Sequence, residues 1–267
     1  MGKLKVMTFN LRVEAPGHDG INDLPNRKGR ILETIATEAP DLIGFQEARD
    51  KTRAWLRDNL ADYVVLGCGR EADLKGESTP IAFRKDRFEA ISYENFALSS
   101  TPHLMGTRFV GVGQSDNSRM ATSVVLKHEG ADMPILFVNT HTDHHAPLTR
   151  QLSFSQLIRY LSDKALPCIL TGDLNTLPDS PEVKILTENK SFPLTDATAE
   201  IKSTFHAFGR LATNEYYKNK FGDRDIKLDY VFTNMKTCVS ESYAVEDRGE
   251  DGIYISDHRP VVAFVEI

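Results

Sequence analysis

Residues 167–181 read PCILTGDLNTLPDSP. The run Cys168-Ile169-Leu170 is short and apolar, the pattern of a strand bound for a core. It stops at Thr171-Gly172, and Asp173 and Asn175 follow at once on either side of Leu174. A carboxylate and an amide are thus delivered to the end of a buried strand.

The same arrangement recurs along the chain. Residues 4–9 (LKVMTF) read as a strand ending at Asn10. DLIGFQE (41–47) reads as a buried strand ending at Glu47. His141 ends VNTH within PILFVNTHT, Asp229 sits in KLDYVF, and Asp257-His258 precede the last strand, RPVVAFVEI. Taken singly, Asp, Asn and His are common turn and cap residues. Together they are the oxygen and nitrogen groups that hard cations and phosphoryl chemistry need.

Between these strands, residues 27–38 place Ile31, Leu32 and Ile35 on one helical face, stopped by Pro40. Further helices are predicted through Trp55, Leu56 and Leu60, over 152–161 and over 182–189. YVVLG (63–67), MATSVVLKH (120–128) and KTCVSESYAVE (236–246) read as strands, and PIAFRKDRFEAISY (80–93) as a hairpin. No Pro/Gly/Ser linker or internal repeat divides the chain. One domain over residues 1–267 is expected, with two stacked sheets and helices outside.

The chain has 267 residues, 40% hydrophobic and 26% charged, which fits a soluble globular protein. No apolar stretch is long enough to span a bilayer, and MGKLKVMTFN has no signal-peptide apolar region. Cys68, Cys168 and Cys238 are far apart and lack metal-ligand spacing, so a reduced, cytoplasmic setting is expected. The net charge of −6 argues against a protein that lives on non-specific phosphate-backbone contacts. There is no G-x-S-x-G elbow, H-E-x-x-H helix, Walker loop or dinucleotide fingerprint. THTDHH holds three histidines, but without thiolates, and with so many carboxylates elsewhere, oxygen-ligated Mg²⁺ or Mn²⁺ suits the residues better than zinc.

The stretch 202–227, KSTFHAFGRLATNEYYKNKFGDRDIK, holds six Lys/Arg against three Asp/Glu, interleaved with five aromatics. It reads either as a solvated loop with anchoring rings or as a substrate-facing loop.

MTFNLR, DLIGFQE, VNTHTDH, TGDLN, LDYVF and SDHRP, in this order from Met7 to Pro260, resemble the endonuclease/exonuclease/phosphatase superfamily. GESTPIAFRKDRFE, FALSSTP and SRMATSVVL are similar to segments of its small bacterial members related to the deadenylase-type nucleases. The resemblance implies a four-layer α/β sandwich of two packed, mostly antiparallel sheets flanked by helices, with the active site at one end of the sheets. It implies that Glu47 is the principal metal ligand, with Asn10 offering a neutral oxygen beside it and Asp257 close to the same Mg²⁺ (Mn²⁺ as substitute). It assigns Asp173 to the attacking water and Asn175 to a phosphate oxygen, and it makes His258 the imidazole held by Asp229. His141 would donate to a phosphate oxygen or to the leaving group, with Glu77 as its partner.

Arg119 is a candidate phosphate clamp. Phe205, His206 and Phe208 are candidates to contact the leaving group, and Lys218, Lys220 and Arg224 to attract an anion. His18, Asp19, His144 and His145 match no core position. Arg12 stands where some relatives carry an acid or glycine, which weakens the case for a second metal ligand there. The expected activity is Mg²⁺-dependent phosphoester hydrolysis by a monomer, on a small-molecule or lipid-like substrate. The rivals are a DNA or RNA nuclease of the same fold and a non-catalytic phosphate-binding scaffold.

Overall fold

A computed structural model describes residues 2–129, 133–211, 213–222, 225–237, 239–246, 249 and 251–267. Arg224 and Cys238 lie outside the described residues. In chain order the elements are β1 (Lys3–Asn10), α1 (Leu24–Glu38), β2 (Leu42–Gln46), α2 (Asp50–Asn59), β3 (Tyr63–Leu66), β4 (Ile81–Arg84), β5 (Phe88–Ala97), β6 (Met120–His128), β7 (Ile135–His141), α3 (Pro147–Lys164), β8 (Cys168–Asp173), α4 (Pro181–Thr187), β9 (Thr195–Asp196), α5 (Glu215–Phe221), β10 (Asp229–Thr233), β11 (Tyr243–Ala244) and β12 (Val261–Glu266).

Among the described residues the strands form two six-stranded sheets, ordered β11-β12-β1-β2-β4-β3 and β5-β6-β7-β8-β10-β9. Only β1–β2 and β7–β8 pair in parallel. The sandwich expected from the sequence is therefore the observed one. Leu4, Val6, Phe83, Phe137, Ile169 and Val231 fill the space between the sheets. Met7, Phe9, Ile31, Ile35 and Leu56 form a core on one outer face of the sandwich, and Leu170, Tyr230, Phe154 and Leu157 form one on the other.

Strand periodicity explains how a core becomes a site. Alternate residues of a strand face the same way. On β1 the inter-sheet face runs Leu4, Val6, Thr8, Asn10. On β7 it runs Ile135, Phe137, Asn139, His141, and on β8 Ile169, Thr171, Asp173. Each face passes from apolar to polar toward the same end of the sandwich. The intermediate layer is hydrogen-bonded across the sheets: Gln46 Nε2 donates to Asn139 Oδ1 at 2.7 Å and to Thr8 Oγ1 at 3.1 Å. Asn139 Nδ2 donates to the carbonyls of Phe45 and Pro80.

This layer requires Gly44. A Cβ there would lie 2.1 Å from Thr171 Oγ1 and 2.5 Å from Asn139 Oδ1. Gly44→Ala is expected to cost about 1–3 kcal/mol by forcing the sheets apart, read as a lower urea midpoint with an unchanged slope.

Two expected elements differ. Residues 80–93 are not a hairpin: β4 pairs with β2 and β3 in one sheet, and β5 pairs with β6 in the other. The short turn between them carries the chain across the sandwich, with Phe83 and Phe88 edge-to-face at 6.5 Å between the sheets. Local alternation specifies two strands and a turn, whereas burial of both rings in one core selects their partners. Residues 236–246 are not one strand either. Thr237 bridges to Val265 and Tyr243–Ala244 pair with β12, but a 3₁₀ turn at Val239–Glu241 interrupts them. The polar Ser-Glu-Ser there has no core to face.

Candidate active site

The strand register assembles the centre. His141 pairs with Asp173 across the parallel β7–β8 ladder, and Asp229 pairs with Asp173 across the antiparallel β8–β10 ladder. Their side chains therefore stand in one row on the inter-sheet face. Gly172 lets the strands close up beneath them, since a Cβ there would lie 2.4 Å from the Thr140 carbonyl oxygen. The opposite sheet contributes Asn10 at the end of β1 and Glu47 just past β2. Asp257 and His258 come from the segment before β12.

Arg12, Glu47 and Asn175 all have left-handed backbones (φ 58°, 62° and 49°), a conformation that non-glycine residues adopt at a cost. Such strain clusters where a side chain must be aimed rather than merely packed.

Asp173 is the hub. Its Oδ2 accepts from Asn10 Nδ2 at 3.0 Å, and its Oδ1 accepts from the Asn175 N–H at 2.9 Å. The Nε2 atoms of His141 and His258 lie 3.5 and 3.7 Å from Asp173 Oδ2. His258 Nδ1 donates to Asp229 Oδ2 at 2.8 Å, and Thr204 Oγ1 donates to the same oxygen at 2.6 Å. Asn175 Nδ2 donates to His141 Nε2 at 2.9 Å.

Burial makes these charges interact strongly. Burial raises the Asp173 carboxyl above its usual range, the neighbouring Asp229 and Glu47 charges raise it further, and His258 opposes them. Burial and the Glu47 charge likewise raise Asp257, against His258 and Arg12. Burial also works against an ionised Glu47, but the Arg12 guanidinium, the Val13 N–H and the Asn10 amide outweigh it and hold Glu47 below the usual range. The two histidines divide. Burial, Arg119 and Arg70 keep His141 neutral, well below its ordinary pKa. For His258, burial is overcome by Asp229 and Asp173, which push it up to about 10. Asp229 fixes the orientation of the His258 ring and supplies the first of the charges that keep it protonated. Asp229→Asn is expected to lower kcat roughly 10- to 100-fold, a milder defect than loss of the imidazole itself, and steady-state kinetics of the two variants side by side checks it.

The donor set suits a hard divalent ion. Asp173 and Asp257 are buried beside the half-buried Glu47, and these two of the three resist ionisation for lack of compensating charge. One ligand atom each from Glu47, His141 and Asp173 lies within 4.8 Å of the others. Carboxylates outnumber imidazoles, as oxygen-preferring cations require. Asn10 differs from expectation. Its Oδ1 accepts from the Arg12 N–H at 2.9 Å, and its amide nitrogen, not its oxygen, faces Glu47 and Asp173. The amide thus bridges the two acids.

Arg119 is buried at 3% exposure beside the centre, and its Nη2 meets His144 Nδ1 at 2.9 Å. Its Nε and Nη1 make no hydrogen bond among the described residues. Glu77 is not the hydrogen-bond partner of His141. It pairs with Arg70 at 3.1 Å, because two buried guanidiniums, Arg70 and Arg119, need its charge more than a neutral imidazole does. Phe205 lines the cleft, its ring 4.7 Å from that of His258. His206 and Phe208 do not line it. His206 stacks on Tyr254 at 4.8 Å, and Phe208 lies between the Arg27 and Arg210 guanidiniums. The turn at Ala207–Gly209 reverses the chain and sends both side chains into this packing.

Some supporting residues had no usable sequence signal. Thr204 orients Asp229. Ser256 donates to the Asn10 carbonyl at 2.7 Å. Arg27, wholly buried, donates to the carbonyls of Asn22, Leu11 and Ile255. Asp19, unassigned in the sequence, grips Arg12 at 3.0 and 3.3 Å.

The catalytic cleft encloses about 280 Å³. A larger hollow of about 740 Å³ lies between β5 and α3, but its Glu94 is committed to Tyr160 and Lys164 and it holds none of the clustered acids. The clustered acids and imidazoles therefore line the smaller space.

Solved structures share this architecture. An endonuclease/exonuclease/phosphatase from Bacteroides vulgatus superposes with a TM-score of 0.85 at 26% identity, covering 100% of both chains. A mannosyl-6-phosphatase from Bacteroides thetaiotaomicron gives 0.79 at 23% identity, covering 98% of this chain and 100% of that one. D. rerio TDP2 complexed with a single-strand DNA product gives 0.70 at 16% identity, covering 100% of both chains. No curated protein sequence matches the chain. The motifs that end the strands at this centre fall within residues 7–258, which match the profile of the Endonuclease/Exonuclease/phosphatase family, and the chain belongs to that family.

Proposed function

We propose that the protein is a Mg²⁺-dependent phosphoester hydrolase acting on a small phosphate ester. The observation that carries this reading is the row His141–Asp173–Asp229, with His258 pinned by Asp229 at 2.8 Å. Asp173 is positioned to hold a water and take its proton, since its Oδ2 faces both imidazoles and burial has raised its proton affinity. His258, held protonated, stabilises negative charge that develops on phosphate oxygens. Neutral His141, fixed by Asn175, stands beside the same carboxylate. The two unbonded nitrogens of Arg119 can grip a phosphate oxygen in a site where such a charge is already desolvated.

Glu47 and Asp173, bridged by the Asn10 amide, and Asp257 are the residues that would hold Mg²⁺, and the bound ion would supply a Lewis acid and lower the pKa of a coordinated water. Arg12 adds a fixed positive charge 3.8 Å from Asp257. The cleft volume of about 280 Å³ is at the low end for ligand sites, which supports a small ester over a polymer.

The test is hydrolysis of phosphomonoesters, phosphodiesters, single-stranded RNA and abasic DNA, each with Mg²⁺. Turnover of small esters with inert polymers is expected. Efficient cleavage of RNA or DNA alone would replace this reading by a nuclease, and failure on all four by a phosphate-binding scaffold.

A further inference from the structure

Arg27 and Arg150 show how a buried arginine is normally satisfied. Arg27 gives Nε, Nη1 and Nη2 to backbone carbonyls. Arg150 gives Nε and Nη2 to Glu182, at 3.2 and 3.0 Å, and Nη1 to the Asp143 carbonyl at 3.0 Å. A donor that leaves water without finding an acceptor costs stability, so buried donors are bonded. Arg119 departs from this. Its Nη2 meets His144, while Nε and Nη1 have no partner among the described residues.

The counter-ion explains the departure. The ion-pair partner of Arg119 among the described residues is Asp143, whose Oδ2 lies 3.9 Å from Nε, too far for a hydrogen bond. Asp143 is wholly buried and already engaged. Its Oδ1 accepts from the His145 and Ala146 N–H groups at 3.0 and 2.9 Å. Its Oδ2 accepts from the Ser115 N–H at 3.3 Å and from the Ser115 hydroxyl. A carboxylate accepts about four hydrogen bonds, so none of its capacity is left for Arg119. Burial works against an ionised Asp143, but the Ser115 hydroxyl, the Ala146 and His145 N–H groups and the Arg119 guanidinium outweigh it and hold it below the usual carboxylate range. Asp143 therefore gives Arg119 a compensating charge without taking its donors.

The loop between β5 and β6 brings Ser115 to this carboxylate and carries Asn117 and Arg119 on to the catalytic cleft. Ser115 and Asp143 do not line that cleft themselves.

We propose that Ser115 is a positioning residue for anion recognition: by occupying Asp143 Oδ2 it keeps that carboxylate from capturing the Arg119 guanidinium, whose free donors stay available to a phosphate oxygen. The proposal rests on the grip assigned to Arg119 above and adds what holds it open. Without the hydroxyl, Oδ2 keeps only the Ser115 N–H. A shift of about 1 Å then brings Nε to hydrogen-bonding distance and turns the guanidinium away from the site.

Titration calorimetry with inorganic phosphate and Mg²⁺ tests this, since the readout is binding and not turnover. Arg119→Met is expected to weaken phosphate binding roughly 10- to 100-fold, the loss of a hydrogen-bonded charge. Ser115→Ala, a change in a loop, is expected to weaken it roughly 3- to 10-fold, and Ser115→Thr, which keeps the hydroxyl, to restore it. A serine that acts through Arg119 has nothing to act on once Arg119 is gone. In the Arg119→Met background Ser115→Ala should therefore change Kd by no more than about twofold. A merely structural loop residue would show the same loss in both backgrounds. Unchanged affinity in Ser115→Ala overturns the proposal, as does a loss that Ser115→Thr does not repair or that persists in the double variant, and each of these leaves the Arg119 grip standing. If Arg119→Met binds phosphate as the unmodified protein does, or the unmodified protein does not bind it, the grip itself is refuted and the role of Ser115 with it.

Discussion

Asp173→Asn and His258→Ala are each expected to lower kcat by about 10²–10⁴-fold, the usual contribution of a general acid or base. Asparagine at 173 still accepts the Asn175 N–H but cannot take a proton from water. Burial already disfavours the ionised carboxylate, so the fold is expected to survive the substitution, but the Asn10 Nδ2 loses its acceptor at Oδ2 and His258 loses one of its counter-charges. His258→Ala is structurally less neutral. It removes a ring packed on Phe205 and strands the buried Asp229 carboxylate with Thr204 as its remaining side-chain partner. A lower Tm accompanies it, by roughly 2–4 °C per kcal/mol lost. Turnover is therefore compared at a temperature where circular dichroism shows both variants folded. If either variant keeps near wild-type kcat there, the role given to that residue is wrong.

Chelation is the second large effect. Exhaustive treatment with EDTA is expected to abolish phosphate release, and Mg²⁺ or Mn²⁺ to restore it. The reason is electrostatic: Asp173 and Asp257 both resist ionisation in the metal-free site, and a divalent ion removes that resistance. The same linkage raises thermal stability. Metal at about 100 times its Kd adds about 2.7 kcal/mol, visible as a higher Tm without any substrate. Glu47→Gln is expected to weaken metal binding by at least tenfold in calorimetry while the far-ultraviolet spectrum stays native: the amide oxygen still accepts from the Val13 N–H, the acceptor facing Asn10 Nδ2 is lost, and the charge the ion needs is gone. Full activity after chelation, or a Tm indifferent to Mg²⁺, would refute the metal site.

The legible part of the site is the part written on strand ends. Asp173, Asn175, His141, Asp229 and Glu47 each interrupt or terminate an apolar run, and period-two geometry carries such residues to one end of a sandwich once the sheets stack. Glu77 shows where this stops. Its neighbour in sequence says nothing of Arg70 or Arg119, and their two buried charges draw it away from His141. His206 and Phe208 lie, with Phe205, on the approach to the strand that carries Asp229, which makes them candidates for the leaving group, but the turn at Ala207–Gly209 sends them onto Tyr254 and Arg27. In the sequence Arg12 counts only against a second metal ligand. Its left-handed backbone and its grip on Asp19 are long-range consequences of the loop fold.

By itself the sequence determined most of the strands, most of the helices and which chemical groups end them, because hydrophobic periodicity and chain-breaking residues act over a few residues. Only the tertiary structure decided which strands pair, that β4 and β5 part into different sheets, that Asn10 turns its amide toward two acids, and that His258 is cationic while His141 is neutral. These follow from the sum of charges and surfaces brought together from distant segments and removed from water. That sum depends on every neighbour at once, so no local stretch of chain contains it.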